Sequence, residues 1–254
     1  MTDSKFDLLQ LYFREPYIIN TDAGNDITIY QPTIGDIIKH GEKTVYDGVN
    51  IFVANPTMYR LPLWKQKIDW NQINDFQLFC LLQDQLDISS TELLFGNLNF
   101  QLFKFNSYKL DTGEDYYYLY NEEQDVIIDE KIHSKISNYI RFMFNYFPKT
   151  EKAKGKSTKE WMIEEDQMNY EAHKNDEYQS SLLPLISSCI NHPGFKYKKE
   201  ELRDVGIVEF MDSVQRIQVY ESSTALLKGI YGGFVDGSKI SNKEELNFMR
   251  DISR

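Results

Sequence analysis

The residues of this chain that could do chemistry are few and scattered. Asp111-Thr112-Gly113 has the composition of the aspartic-protease tripeptide, in which two carboxylates share one proton and activate a water. No second such tripeptide exists in the chain, and Glu114 and Asp115 follow directly. Asp, Thr and Gly suit a hairpin turn unaided, and that is the expected role. His40, His133, His173 and His192 lie far apart, and none pairs with another at the spacing of ligands on one helix face. Glu164-Glu165-Asp166 could lend a carboxylate to a divalent cation, but three successive acids point around a helix instead of converging. A solvated face is the expectation there. Gly229-Ile230-Tyr231-Gly232-Gly233 lacks the lysine and hydroxyl of a phosphate loop and should end a helix. No Ser or Cys occupies a recognisable nucleophile elbow. Cys80 and Cys189 fit neither a disulfide framework nor a zinc spacing, and both are expected reduced in a core. The residues therefore predict a non-enzymatic protein with no catalytic group, no metal and no cofactor. A hydrolase whose polar groups converge in three dimensions is the alternative.

One segment has the residue types of a partner surface. Tyr59, Arg60, Trp64 and Trp70 stand in a stretch flanked by Pro56 and Pro62, with Lys65 and Lys67 between them. Trp, Tyr and Arg dominate binding hot spots, which makes these four the candidate partner-binding residues. The competing reading packs both Trp side chains over the N-terminal core to pin a long loop. Five Lys within residues 149–159, with Gly155 and Ser157, read as a solvated connection, with contact to an acidic partner as the alternative.

Charge narrows the classes of partner. The formal net charge is −11, and residues 1–128 carry 9 basic against 19 acidic side chains. Nucleic-acid affinity depends on Lys and Arg neutralising phosphates, so no nucleic-acid partner is expected. An anionic membrane surface is disfavoured for the same reason. The longest uncharged stretch, residues 179–195, contains two Pro and several polar residues, so no membrane span is expected. The first eleven residues carry Asp3, Lys5 and Asp7 and lack the pattern of a secretory signal, which predicts a cytoplasmic protein.

The elements that must position these residues change character along the chain. A short helix over residues 6–13 entered at Ser4 and a strand over 26–30 with Ile27 and Ile29 inward come first. Thr33 and Asp36 have the spacing of a capping box, and Gly41 supplies a left-handed stop beside His40. Residues 45–53 read as a strand, Asn55-Pro56 as the start of a helical turn, and residues 60–73 as irregular. A helix over 74–87 follows, then strands at 100–105, 116–120 and 126–128, two of them joined by the Asp111 turn. From Asp129 the pattern is helical. Asp129 caps a stripe of Ile132, Ile136, Ile140, Met143 and Phe147, ended by Pro148. Further helices are expected from a Ser157–Glu160 capping box through Trp161 and Met168, from Ser181 to Asn191, over 204–220, over 222–231, and from Ser241 capped with Glu244. The fold class is α+β: a mixed, acidic domain over residues 1–128, then an all-helical domain over residues 129–254.

The run Ile29-Tyr30-Gln31-Pro32-Thr33-Ile34-Gly35-Asp36-Ile37-Ile38, with Gly41-Glu42 and Tyr46 after it, resembles the opening of a group of tail-module proteins from phages and prophages of Gram-positive bacteria. Similar stretches continue in the same order at Ile73-Asn74-Asp75-Phe76-Gln77-Leu78-Phe79, at Leu182-Leu183-Pro184-Leu185-Ile186-Ser187, at Asn191 with Phe195-Lys196-Tyr197, and at Glu209-Phe210-Met211-Asp212-Ser213-Val214-Gln215-Arg216-Ile217. The resemblance implies a tail assembly chaperone or a minor tail component, and it brings no catalytic residue. It implies the tape-measure protein as partner, a long helical chain whose apolar faces need shielding before the tail tube closes round it. It also implies the host bacterial cytoplasm, or the tail of the virion, as the place of action. A structural tail or baseplate component is the alternative, separable by whether the protein is present in purified particles.

Overall fold

Local capping signals set where most helices begin. In the computed structural model, residues 7–252 are described. Helix α1 (Leu8–Tyr12) opens at Asp7, whose carboxylate accepts from the backbone N–H groups of Leu9 and Gln10. The entry expected at Ser4, and Phe6 with it, lie outside the described residues. Strands β1 (Tyr17–Ile19) and β2 (Ile27–Ile29) pair antiparallel, with Ile27 and Ile29 buried as their alternation requires. Helix α2 (Ile34–His40) carries the capping box in full: the Asp36 N–H donates to Thr33 Oγ1 and the Thr33 N–H donates to Asp36 Oδ2, each at 2.9 Å.

Residues 45–53 are not a strand. They belong to helix α3 (Glu42–Val53), entered directly from Gly41 at φ +106°. Val45, Val49 and Phe52 recur at helical spacing on its buried face together with Gly48. Residues 60–73 are likewise more regular than expected, because helix α4 (Arg60–Lys65) accommodates Pro62 in its first turn, where no intrahelical N–H is lost. The turn before it is held by Asn55, whose Oδ1 accepts from the Met58 N–H at 3.1 Å. Helix α5 (Asp75–Leu82) opens at a reciprocal Asn74–Gln77 box. Helix α6 (Ile88–Phe95), capped by Asp87, was not anticipated from the sequence.

A three-stranded antiparallel sheet follows in the order β3-β4-β5. Strand β3 (Lys104–Lys109) starts later than residue 100, since residues 100–102 form a 3-10 turn. Strand β4 (Asp115–Asn121) pairs with it across the Asp111-Thr112-Gly113 turn, and Gly113 takes φ +85° there. Strand β5 (Val126–Asp129) pairs with β4, placing Leu119 opposite Ile128. Among the described residues no strand begins after Asp129.

Asp129 ends the last strand and caps helix α7 (Glu130–Met143), accepting from the Ile132 N–H at 2.7 Å. Ile132, Ile136, Ile140 and Met143 are buried as the stripe predicts. Phe147 is not part of it: the helix stops at Met143, Asn145 takes φ +50°, and Phe147 is exposed. Residues 149–155 are no free linker. Asn55 Nδ2 donates to the Lys149 carbonyl at 2.8 Å, Asn71 Nδ2 donates to the Ala153 carbonyl at 2.7 Å, and Ala153 is buried. Helix α8 (Lys156–His173) has Gly155 at its N-cap and no side-chain cap, so the Ser157–Glu160 box does not form. Helix α9 (Leu182–Ile190) is capped from a distance: Glu42 Oε1 accepts from the Ser181 and Leu182 N–H groups at 2.7 and 2.9 Å. The two helices expected over 204–231 are one, α10 (Ile207–Tyr231), since no residue between Tyr220 and Ser222 breaks it. The glycines after Ile230 end it as expected. Beyond it Asn242, not Ser241, caps a short 3-10 turn. About 52% of the chain is helix and 11% strand, an α+β fold.

Aromatic packing centres the core. Phe52 lies 4.8 Å from Phe95, 5.0 Å from Phe100 and 5.6 Å from Phe79, measured between ring centroids. Residues of α3, α5, α6 and the inner stripe of α7 belong to one apolar cluster, which Phe210 and other residues of α10 also join. The starts of α2 and α10 are tied by backbone bonds of 3.0 Å, from the Ile34 N–H to the Val205 carbonyl and from the Ile207 N–H to the Pro32 carbonyl.

Candidate functional site

The structure draws the candidate hot-spot residues toward the protein's own α8 and the segment before it. The Arg60 guanidinium donates from Nε and Nη2 to the two carboxylate oxygens of Asp166, at 2.5 and 2.7 Å, and from Nη1 to Glu151 at 2.7 Å. Its side chain is only 11% exposed. The hydrogen bonds to Asp166 raise its already high pKa further. Trp70 is 2% exposed and meets Trp64 edge to face at 6.0 Å, while Trp64 itself is half-buried. Lys159 of α8 places its ammonium 5.8 Å from the Trp70 ring centroid and also pairs with Asp69. Tyr59 is partly buried, and that burial pushes its phenol pKa up. Arg60 and Trp70 thus serve internal packing, and their polar and aromatic capacity is directed inward. Asp166 leaves the solvated face expected for the 164–166 acids, while Glu164 and Glu165 remain exposed on it.

The other reactive side chains remain dispersed. His40 meets the Ser89 carbonyl through Nε2 and Glu92 through Nδ1 at 3.2 Å. His173 bonds Asp176 at 2.8 Å, and His192 bonds Glu221 at 3.0 Å. His133 is buried against Phe79, with ring centroids 4.6 Å apart, and burial pushes its pKa down to about 3. Cys189 is buried and Cys80 partly so, and burial pushes the Cys80 thiol up to about 12, the opposite of an activated nucleophile. Asp111 is exposed in the hairpin turn. Among the described residues no group of three or more His, Cys, Asp or Glu side chains is placed to hold a metal ion, and no helix is long and apolar enough to cross a membrane.

What sequence reasoning missed is an outward apolar pair on α8. Of the 18 residues in this helix, Ile163 alone is buried. Trp161 and Met168 stand one heptad apart and are 62% and 67% exposed, with Glu164 and Glu165 between them on the same side. The signal was present as two large apolar residues seven apart in a largely polar helix. Further exposed apolar side chains follow on Leu183, Tyr231, Phe234, Phe248 and Met249. No family model matches the chain, and neither a curated protein nor a solved structure gives a significant match.

Proposed function

We propose that this protein is a non-enzymatic phage tail morphogenesis protein that binds an apolar-faced helical segment of the tape-measure protein during assembly in the host cytoplasm. The observation that carries the binding reading is the outward Trp161 and Met168 pair on α8. A helix that buries one residue and exposes two large apolar ones a heptad apart has the anchors of helix-to-helix recognition. Burying apolar surface yields roughly 25 cal/mol per Å², and Trp and Met supply much of it per residue. The choice of partner rests on the sequence resemblance. The net charge of −11 argues against a polyanionic partner.

The test is titration of the purified protein against tape-measure fragments at low and high salt. Apolar burial predicts binding that changes little with salt, whereas an association driven by exposed charge weakens once charges are screened beyond about 8 Å. The Trp161→Ala/Met168→Ala variant is expected to lose at least tenfold in affinity while its melting temperature stays put. No binding to any fragment, or binding abolished by salt, overturns the reading.

A further inference from the structure

Three tyrosines share one face of the three-stranded sheet. Tyr108 of β3 stands opposite Tyr116 of β4, and Tyr118, two residues on, stands opposite Asp129 of β5. Residues paired across antiparallel strands, or two apart along one strand, point to the same side. The ring centroid of Tyr108 lies 5.0 Å from that of Tyr116 and 5.9 Å from that of Tyr118, and the last two are 6.1 Å apart. The ring planes are inclined to one another by 42°, 65° and 35°, so they make no flat platform. None of the three belongs to the apolar core; Tyr108 is 50% exposed and the other two are half-buried. Together with residues 21–23 of the β1–β2 connection and the start of α7, they line an open cavity of about 400 Å³. That volume falls within the range of small-molecule sites, roughly 300–1,000 Å³.

The lining restricts the chemistry of an occupant. Rings that serve no core and surround a cavity offer their negative π faces, and a cation is what those faces attract. The neighbouring charges agree. Asp22 and Asp129 stand against one Lys131, whose ammonium lies 4.0 Å from the Asp22 carboxylate in an exposed pair. An anion would meet both carboxylates. Much of the directional bonding here is already spent: Asp129 Oδ1 accepts from the Ile132 N–H at 2.7 Å and Oδ2 from the Tyr116 hydroxyl at 2.5 Å. The Thr21 hydroxyl donates to the Ala23 carbonyl at 2.9 Å. What the cavity chiefly offers is ring face and negative charge, which an ammonium with methyl groups in place of its protons uses without needing an acceptor. We propose that this cavity binds a quaternary ammonium group, a trimethylated cation of the choline or trimethyl-lysine type, seated on Tyr108, Tyr116 and Tyr118.

The inference does not depend on the tail-assembly reading. Saturation-transfer NMR on the full chain tests it, with choline and a short peptide containing one trimethyl-lysine as probes. Each probe is paired with its counterpart in which an uncharged carbon replaces the nitrogen. At least one ammonium probe should bind saturably and about tenfold or more tighter than its neutral counterpart, as a cation–π site requires. Tighter choline binding assigns the site to a free small molecule, and tighter peptide binding to a modified side chain of a partner. Tyr108→Ala and Tyr118→Ala, each verified as folded by circular dichroism, should weaken binding about tenfold, while Tyr118→Phe keeps the ring and should retain it. Tyr108 is exposed enough for its variant to keep the test decisive if the Tyr118→Ala variant unfolds. Lys131→Ala removes the one cation of the lining and should leave binding unchanged or tighter. No binding of either ammonium probe, equal binding of the neutral counterparts, wild-type binding by the folded Tyr→Ala variants, or loss of binding in Lys131→Ala overturns the proposal.

Discussion

Arg60 and Asp166 lie 106 residues apart and meet through two hydrogen bonds that join α4 to α8. A guanidinium fork matched to both oxygens of one carboxylate is the strong form of an ion pair, and here both partners are largely shielded from water. Truncating either side leaves a charge without its partner. Arg60→Ala is expected to destabilise the protein by about 2 kcal/mol, within the range for hydrogen bonds to charged groups. Arg60→Lys, which keeps the charge and loses the fork, should fall between. Urea denaturation measures both, and a loss below about 0.5 kcal/mol for Arg60→Ala would mean the pair contributes no more than an exposed one.

Trp70 and Trp161 should separate core from surface. Trp70→Ala removes a nearly fully buried ring and should cost about 3–5 kcal/mol, seen as a marked drop in melting temperature. Trp161→Ala removes an exposed ring and should stay within about 0.5 kcal/mol of wild type. Equal effects from the two variants would contradict the placement of Trp70.

Gly48 lets α3 approach α6. A Cβ built there would stand 2.3 Å from the Ser90 carbonyl oxygen, too close for any real contact. Gly48→Ala therefore forces the two helices apart, and the general gain in helix propensity from Ala, about 1 kcal/mol, should be outweighed by overpacking of about 1–3 kcal/mol or more. Thermal melts decide the sign, and a stabilised variant would show that the two helices separate at little cost.

Acid should weaken the fold through His133. Its folded pKa, about 3, lies below the unfolded value of 6.5, so the unfolded chain takes up a proton in a range where the folded one does not. The stability this group contributes is complete above the unfolded pKa and declines as pH falls toward the folded one. At about 1.4 kcal/mol per pH unit, the loss between pH 7 and pH 5 is about 2 kcal/mol. Asp69, whose carboxyl the Lys159 bond holds below its usual range, adds a further loss at lower pH, as it protonates. Denaturation at stepped pH should show the slope in wild type and a flatter one between pH 7 and 5 in His133→Phe; identical slopes would refute it.

The sequence by itself determined the elements whose signals lie within a few residues. The Thr33–Asp36 box, the inward Ile27 and Ile29, the Asp111 turn and the Asp129-capped stripe of α7 were all legible, because each is a bond or periodicity closed inside one element. Val49, Ile51 and Val53 alternate as a strand requires, while Val45, Val49 and Val53 also stand four apart as a helix requires, so residues 45–53 fit either element on local terms. The contact of Gly48 with Ser90, a residue of another helix, belongs to the tertiary packing that favours the helix. The tertiary structure alone also decided that Glu42 caps α9 across 139 and 140 residues, and that Arg60 spends its fork on Asp166. Such bonds form between groups whose separation along the chain carries no local preference. They appear only once burial of the apolar stripes has brought the elements together.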